Sequence, residues 1–414
     1  VTDAPHALHD KPEPVPLPEP REGIPPVVAD PEGLAEVVAA FAGGTGPVAV
    51  DAERASGYRY GQRAYLVQLR REGAGSALID PIACPDLSEL NAALADTEWV
   101  LHAAPQDLPC LDGLGMRPTR LFDTELAGRL AGFSRVGLGP MVEHVLGYVL
   151  EKGHSAADWS TRPLPEPWLR YAALDVEVLV DLRHALEAEL DRQGKLRWAH
   201  EEFAAIAAAG PPAPRTDPWR RTSQLHKVRR RRQLAVVREL WYTRDRIARE
   251  RDVSPSRVVP DAALVSAALA MPHSPHLLAA INGFNRMSRR QLDDWLKAIE
   301  DARALPEEAL PPTTAPQQGP PPPRAWNERD PAAAARLSAA KAALGELAER
   351  HRLPQENLIT PDTVRRVCWE PPDGGDEAAL AQALRDRGAR PWQVELVAPV
   401  LAGVFARAGA AKAG

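Results

Sequence analysis

A chain of 414 residues is longer than one hydrophobic core normally serves, so two or three domains are expected. No apolar run approaches the roughly 20 residues of a membrane span; the nearest, residues 396–405, is interrupted by Pro399 and Gly403. Cys84, Cys110 and Cys368 are odd in number and show no paired spacing, so they suggest neither a disulfide framework nor a zinc site and fit a soluble protein of the reducing cytoplasm, while the formal charge of −6 conceals a strongly basic segment.

In chain order, residues 1–26 come first. They carry Pro12, Pro14, Pro16, Pro18 and Pro20 with few large apolar residues, which predicts a disordered, extended tail. The tail lacks the basic start and apolar core of a signal peptide.

The run Val48-Ala49-Val50 predicts a strand, and with a side-chain period of two it sends Asp51 and Glu53 to one face. A second apolar stretch, Trp99-Val100-Leu101, leads into His102-Ala-Ala-Pro-Gln-Asp107, where Asp107 falls in the first turn of a Pro-started helix. His102 reads as a satisfied core residue rather than a ligand. Asp123 precedes a helical run, so capping explains it without chemistry. Tyr171 and Asp175 lie four apart in a segment free of Gly and Pro, so a helix puts phenol and carboxylate on one face.

Carboxylates gathered in one cleft raise each other's pKa unless cations neutralise them. Hard oxygen ligands suit Mg²⁺ or Mn²⁺, which also bind phosphate oxygens. Two such ions, roughly 4 Å apart, lower the pKa of an attacking water and stabilise a leaving 3′ oxygen.

The order and wording of these motifs resemble the DEDD exonucleases, specifically the tyrosine subclass, and within it the ribonuclease D family. Further matching stretches are Gly57-Tyr-Arg-Tyr60, Tyr65-Leu-Val-Gln-Leu69, Leu78-Ile-Asp-Pro81, Phe122-Asp-Thr124, Leu150-Glu-Lys-Gly-His154 and Asp158-Trp-Ser-Thr-Arg-Pro-Leu164. The resemblance implies an exonuclease domain over residues 27–210. It implies that Asp51 bridges two divalent ions, that Glu53 and Asp175 hold the ion activating water, that Asp107 supports the second ion, and that Tyr171 positions the nucleophile. Ala52 and Arg54 stand where better-known members often carry Thr and Phe, so this chain departs from them beside the terminal nucleotide.

Beyond residue 224 the pattern becomes purely helical, and residues 224–305 resemble an HRDC domain, with turn chemistry at Val253-Ser-Pro-Ser256 and Ile281-Asn-Gly-Phe284. Residues 306–330, through Pro320-Pro-Pro-Pro323, predict a semi-rigid linker without packed structure. Residues 331–410 repeat the helical module at an offset of 100: Ala248 with Ala348, Val253 with Leu353, Val258 with Leu358, Val259 with Ile359. A second, divergent HRDC-like domain is expected there. Residues 215–260 hold 14 Lys and Arg against 5 Asp and Glu, a balance of +9 centred on Arg229, Arg230, Arg231 and Arg232. Such density attracts phosphate backbones, and Lys152, Arg162 and Lys227 join these four as expected phosphate contacts. Trp219 either stacks a base or anchors the domains to each other.

The expected fold is thus α/β: a ribonuclease H-like 3′-5′ exonuclease core followed by two all-α HRDC-like domains. The expected function, resting on the resemblance, is metal-dependent 3′-5′ hydrolysis of single-stranded RNA to nucleoside 5′-monophosphates, in the maturation of tRNA or other stable RNA. Its partner is RNA with a free 3′ end, with no membrane and no small-molecule cofactor. A 3′-5′ DNA exonuclease acting in repair and a non-catalytic RNA-binding protein are the alternatives; the intact acids and tyrosine weigh against the second.

Overall fold

The computed structural model describes residues 13–151, 153–211, 213–314 and 319–413. Its strands are β1 (Val15–Leu17), β2 (Val27–Val28), β3 (Thr45–Arg54), β4 (Ala64–Glu72), β5 (Gly75–Ile79), β6 (Glu98–Leu101), β7 (Arg120–Asp123) and β8 (Tyr148–Leu150). Six of them form a mixed sheet in the order β2-β5-β4-β3-β6-β7. Strand β3 lies between antiparallel β4 and parallel β6. Helices cover both faces of such a strand, which is why Val48, Ala49 and Val50 form an unbroken apolar run and are fully buried.

Around the sheet lie α1 (Pro31–Gly43), α2 (Ser88–Ala93), α3 (Leu108–Asp112), α4 (Thr124–Ala131), α5 (Leu138–Leu146), α6 (Glu166–Glu177), α7 (Leu179–Arg192) and α8 (Leu196–Ala208). Helix α1 starts where the Asp30 carboxylate accepts the Gly33 N–H at 2.9 Å, with Pro31 in the first turn. Helix α6 packs against β3, β4 and β5, and the buried small residues Ala172 and Ala173 let it approach closely.

The second half is helical: α9 (Arg231–Arg251), α10 (Pro255–Val258), α11 (Asp261–Ala270), α12 (Pro275–Ala279) and α13 (Arg289–Ala304), then α14 (Trp326–Arg329), α15 (Pro331–Arg350), α16 (Gln355–Leu358), α17 (Pro361–Trp369), α18 (Glu377–Arg385) and α19 (Pro391–Ala413). The order of five helices recurs from α9 to α15. The offset of 100 persists in the backbone: Asp252 and Arg352 both adopt left-handed φ, 49° and 51°. The next amides bond back alike, Val253 N–H to Ala248 O at 3.0 Å and Leu353 N–H to Ala348 O at 2.9 Å.

Two expectations are corrected here. Of the tail predicted to be disordered, residues 13–26 are ordered: β1 pairs with β8 in parallel, Arg21 lies 3.6 Å from Glu177, and Glu22 lies 3.2 Å from Arg70. A two-stranded pairing of this kind tolerates Pro16, because an edge strand can leave one amide unbonded. Residues 1–12 lie outside the described residues. The proline-rich linker is also anchored: Arg231 donates to Glu307 O and Leu310 O at 2.9 and 2.7 Å, Leu310 is buried, and Trp326 is fully buried with its indole N–H on Pro321 O at 2.7 Å. Carbonyls that prolines cannot pair locally are thus satisfied by arginines and an indole. The last domain packs directly on the exonuclease core. Trp392 of α19 stacks on Trp198 of α8 at 4.9 Å, its indole N–H meets Glu202 at 3.0 Å, and one continuous apolar core runs through both units.

Candidate functional site

Asp51 and Glu53 stand at the end of β3, where Asp51 faces Gln68 of β4 across the ladder and accepts its amide N–H at 3.2 Å. Gln68 is fully buried within the buried run from Ala64 to Leu69 of β4, a polar intrusion that the sequence displays and that signals the site. Helix α6 brings Asp175 to the same place: carboxylate oxygens of Asp51, Glu53 and Asp175 all lie within 4.8 Å of one another. One turn earlier, the Tyr171 hydroxyl is hydrogen-bonded to Asp175. Its ring is walled by His154 and Trp159, with centroids at 6.0 and 6.4 Å. Asp107 enters from the start of α3. It lies outside the three-acid group but lines the same cleft of about 590 Å³, together with Tyr171.

The position of Asp107 depends on Asp123. This carboxylate caps α4 by accepting from Glu125 and Leu126 N–H at 2.9 and 3.1 Å. It also accepts from Ala103 and Ala104 N–H at 3.1 and 2.9 Å, holding Ala103 in a left-handed conformation of φ 61°. Capping is therefore half of its work; the other half fixes the turn that delivers Asp107. His102, beside that turn, bonds Thr124 Oγ1 at 2.9 Å, and burial lowers its pKa to about 4, so it is a neutral, satisfied ring.

Burial and mutual repulsion dominate the electrostatics. Burial raises Asp51 to about 6, with the Ala52 amide and Arg54 opposing the rise. Burial and then the charges of Asp51, Asp175 and Asp107 raise Glu53 to about 10. Asp107 is raised to about 8, first by burial and then by Asp51. Burial and Asp51 push Asp175 well up, and burial and Asp175 push the Tyr171 phenol up. Arg54, whose guanidinium lies 3.5 Å from Asp107, offsets only part of this charge. Such a hard, anionic oxygen set fits divalent cations, which would displace the retained protons.

The expected phosphate contacts divide. Arg162 is corrected: its five N–H donors go to Asp80 twice at 2.7 Å and to the carbonyls of Trp159, Thr161 and Tyr65, which leaves none for phosphate. Arg231 and Arg232 are likewise turned onto the anchored linker, bonding the carbonyls of Glu307, Leu310, Arg303 and Leu305 and the Glu307 carboxylate. Arg229, Arg230 and Lys227 remain exposed, Lys227 bonded to Gln224 at 2.6 Å. Lys152 lies outside the described residues. Trp219 is a buried anchor, its N–H on Asp217 at 3.1 Å. Sequence reasoning passed over Arg135, exposed on the rim of the acidic cleft, which stands outside the basic cluster and gives no sequence signal.

Three family models match in order along the chain: a 3′-5′ exonuclease over residues 25–191, an HRDC domain over 233–299 and a 3′ to 5′ exonuclease C-terminal domain over 319–405. The last gives the closing helical unit a family model of its own, and the helix order of that unit repeats the one of the HRDC domain. Ribonuclease D of Gluconacetobacter diazotrophicus is 33% identical over 335 residues, 78% of this chain and 81% of that protein. This chain belongs to the ribonuclease D family. Ribonuclease D of Escherichia coli is 35% identical over 67% of the chain and 74% of its own length. Its crystal structure, described as an exoribonuclease involved in structured RNA processing, superposes with a TM-score of 0.68 at 28% identity over 92% of this chain and 98% of that one. A Bifidobacterium adolescentis protein of known structure superposes with a TM-score of 0.87 at 40% identity, covering 95% of this chain and 99% of that one. Family membership makes the chain a 3′-5′ exoribonuclease.

Proposed function

We propose that Asp51, Glu53, Asp107 and Asp175 hold two divalent ions, Mg²⁺ or Mn²⁺, and that Tyr171 orients the water that attacks the last phosphodiester of single-stranded RNA. The observation that carries this is the convergence of Asp51, Glu53 and Asp175, distant in the chain, to within 4.8 Å in an open cleft. The ions would supply an activated water and stabilise the leaving 3′ oxygen. Asp51 and Glu53 fix the ligand positions by their place on a central strand, and Gln68 orients Asp51 through its amide. Asp123 keeps the Asp107 turn in register, and the rim arginine Arg135 offers a phosphate contact.

The product would be a nucleoside 5′-monophosphate and a chain one residue shorter. Structured RNA precursors, tRNA among them, are the proposed substrates, supported by the stated role of the Escherichia coli relative. The proposed compartment is the cytoplasm, in keeping with three buried free thiols.

The test is a metal-titrated digestion of RNA labelled at its 5′ end, with an open or blocked 3′ end, beside a DNA of the same sequence. Stepwise shortening of open RNA alone, dependent on added Mg²⁺ or Mn²⁺, is expected. Cleavage of the blocked RNA, activity undiminished in EDTA, or faster digestion of the DNA overturns the reading.

A further inference from the structure

Arg54 is the last residue of β3, next to Glu53. Side-chain alternation along a regular strand sends such a residue to the face opposite Asp51 and Glu53. The register of β3 on β4 shifts at this point, between Glu53 opposite Leu66 and Arg54 opposite Ala64. An irregularity of this kind re-aims a side chain, and Arg54 lines the acidic cleft with the carboxylates, its guanidinium 3.5 Å from Asp107. Among the described residues Asp107 is its one ion-pair partner, and no hydrogen bond holds the guanidinium. Two arginines of the loop that follows are tied down instead, Arg59 to Ser160 at 2.8 Å and Arg63 to the Tyr65 hydroxyl at 3.0 Å.

The four acids are not equivalent toward a cation. Carboxylate oxygens of Asp51, Glu53 and Asp175 lie within 4.8 Å of one another and can share an ion as they stand, whereas Asp107 is outside this group. Its charge is already answered by Arg54. The Asp107 side chain is 8% exposed and that of Arg54 26%, so the guanidinium is the partner that solvent and an arriving phosphate can reach. A guanidinium paired by charge but not by hydrogen bonds is loosely held, and phosphate oxygens offer it two parallel hydrogen bonds.

We infer that Arg54 is the resident cation of Asp107: without RNA it occupies that carboxylate in place of the second divalent ion, and the phosphate of the terminal nucleotide draws it away, so that both ions are held only when substrate is present. The inference rests on the two-ion reading proposed above and adds to it a positioning residue that couples ion binding to phosphate. By linkage the coupling runs both ways: the phosphate tightens the second ion by the factor by which that ion tightens the phosphate. The Phe that better-known members often carry at this position has no charge to give Asp107, so the device belongs to this chain's own sequence.

The experiment titrates the full chain with Mn²⁺ and counts bound ions from the EPR signal of the free ion, with and without uridine 5′-monophosphate, which brings a phosphate but no bond to hydrolyse. The parent is compared with Arg54→Gln, with Arg54→Lys, and with Arg135→Gln, which removes one charge from the rim of the same cleft. Without nucleotide the parent is expected to bind one Mn²⁺ tightly and the second roughly tenfold or more weakly, a coupling of ordinary size. Arg54→Gln is expected to bind the second ion about tenfold more tightly than the parent, and Arg54→Lys, which keeps the charge, to stay near the parent. Uridine 5′-monophosphate should tighten the second ion more in the parent than in Arg54→Gln. Tight binding of the first ion marks an intact site; where Arg54→Gln loses it, Arg54→Phe takes its place in the comparison. Two equally tight ions in the parent without nucleotide, a second ion as weak in Arg54→Gln as in the parent, or an equal gain in Arg135→Gln overturns the inference and leaves the two-ion reading standing. No tight Mn²⁺ in the parent, with nucleotide or without, sinks the two-ion reading and this inference together.

Discussion

Replacing Glu53 by Gln should stabilise the metal-free protein while ending hydrolysis. In the fold without cations, Glu53 ionises near 10 rather than 4.5, because burial and the charges of Asp51, Asp175 and Asp107 oppose its ionisation. At about pH 7.5 its retained proton represents a cost of up to about 4 kcal/mol, at about 1.4 kcal/mol per pH unit. The four carboxyls share that cost as a coupled set, so removing one member recovers about 1–2 kcal/mol. Glutamine preserves the shape, and among the described residues no donor is directed at Glu53 whose bond would be lost. With about 2–4 °C per kcal/mol for a unit of this size, the midpoint in EDTA should rise by about 2–8 °C. The sign follows from a folded pKa above the unfolded one: stability is intact below about 4.5 and is lost as pH rises toward about 10. The gap between variant and parent should therefore close near pH 4.5 and open toward neutrality. Thermal melts at the two pH values, with and without Mg²⁺, measure it. A variant less stable than the parent in EDTA at neutral pH, or a gap equal at both pH values, would refute the electrostatic account.

Tyr171→Phe keeps the ring between His154 and Trp159 but removes the hydroxyl on Asp175; turnover should fall roughly tenfold or more with KM unchanged, and an unaltered kcat would make the phenol mere packing. Arg162→Ala leaves Asp80 buried and unpaired and should cost about 3–5 kcal/mol in chemical denaturation. Burial raises Asp80, but the hydrogen bonds and charge of Arg162 together with the Ile82 and Ala83 amides outweigh it and hold the carboxyl below 3.8, so this loss should shrink as pH falls through that lowered value; a loss independent of pH there refutes the pairing. Trp392→Ala, at the junction with α8, should destabilise the chain by about 3–5 kcal/mol. Unfolding of only the last domain, with the exonuclease melt unshifted, would contradict a shared core.

The site acids were legible because side-chain periodicity fixes which residues share a face: Asp51 with Glu53 on a strand, Tyr171 with Asp175 on a helix. The internal repeat was legible for a similar reason, since a left-handed turn and its returning amide recur at one offset. What composition conceals is the partner of each charged group. Arg162 and Arg135 look alike in sequence, yet one lies against buried Asp80 and the other on an open rim. The tail and linker were misjudged because proline content reports the cost of local backbone bonding, whereas their order comes from distant partners, Tyr148 for Val15 and Arg231 for Leu310.

The β3–β4 loop shows why the helical half belongs to the chemistry. Tyr60 at its tip bonds Asp245 at 2.9 Å and takes the Arg249 guanidinium at 3.0 Å, and the Ser254 amide bonds Tyr58 O at 2.9 Å. Asp252, held in a left-handed conformation at the end of α9, draws Arg59 and Arg63 to 3.8 and 3.5 Å. These contacts begin only a few residues beyond Glu53 and Arg54, where the β3–β4 register shifts. A carboxylate among mutually repelling neighbours needs a fixed backbone, since any slack lets the group drift toward solvent and lose its ligand geometry. The exonuclease domain does not supply that restraint alone at this end of β3; the HRDC domain grips the loop that follows it. Catalytic geometry at the end of β3 is thus served by a surface of the helical half, from Asp252 to Arg257.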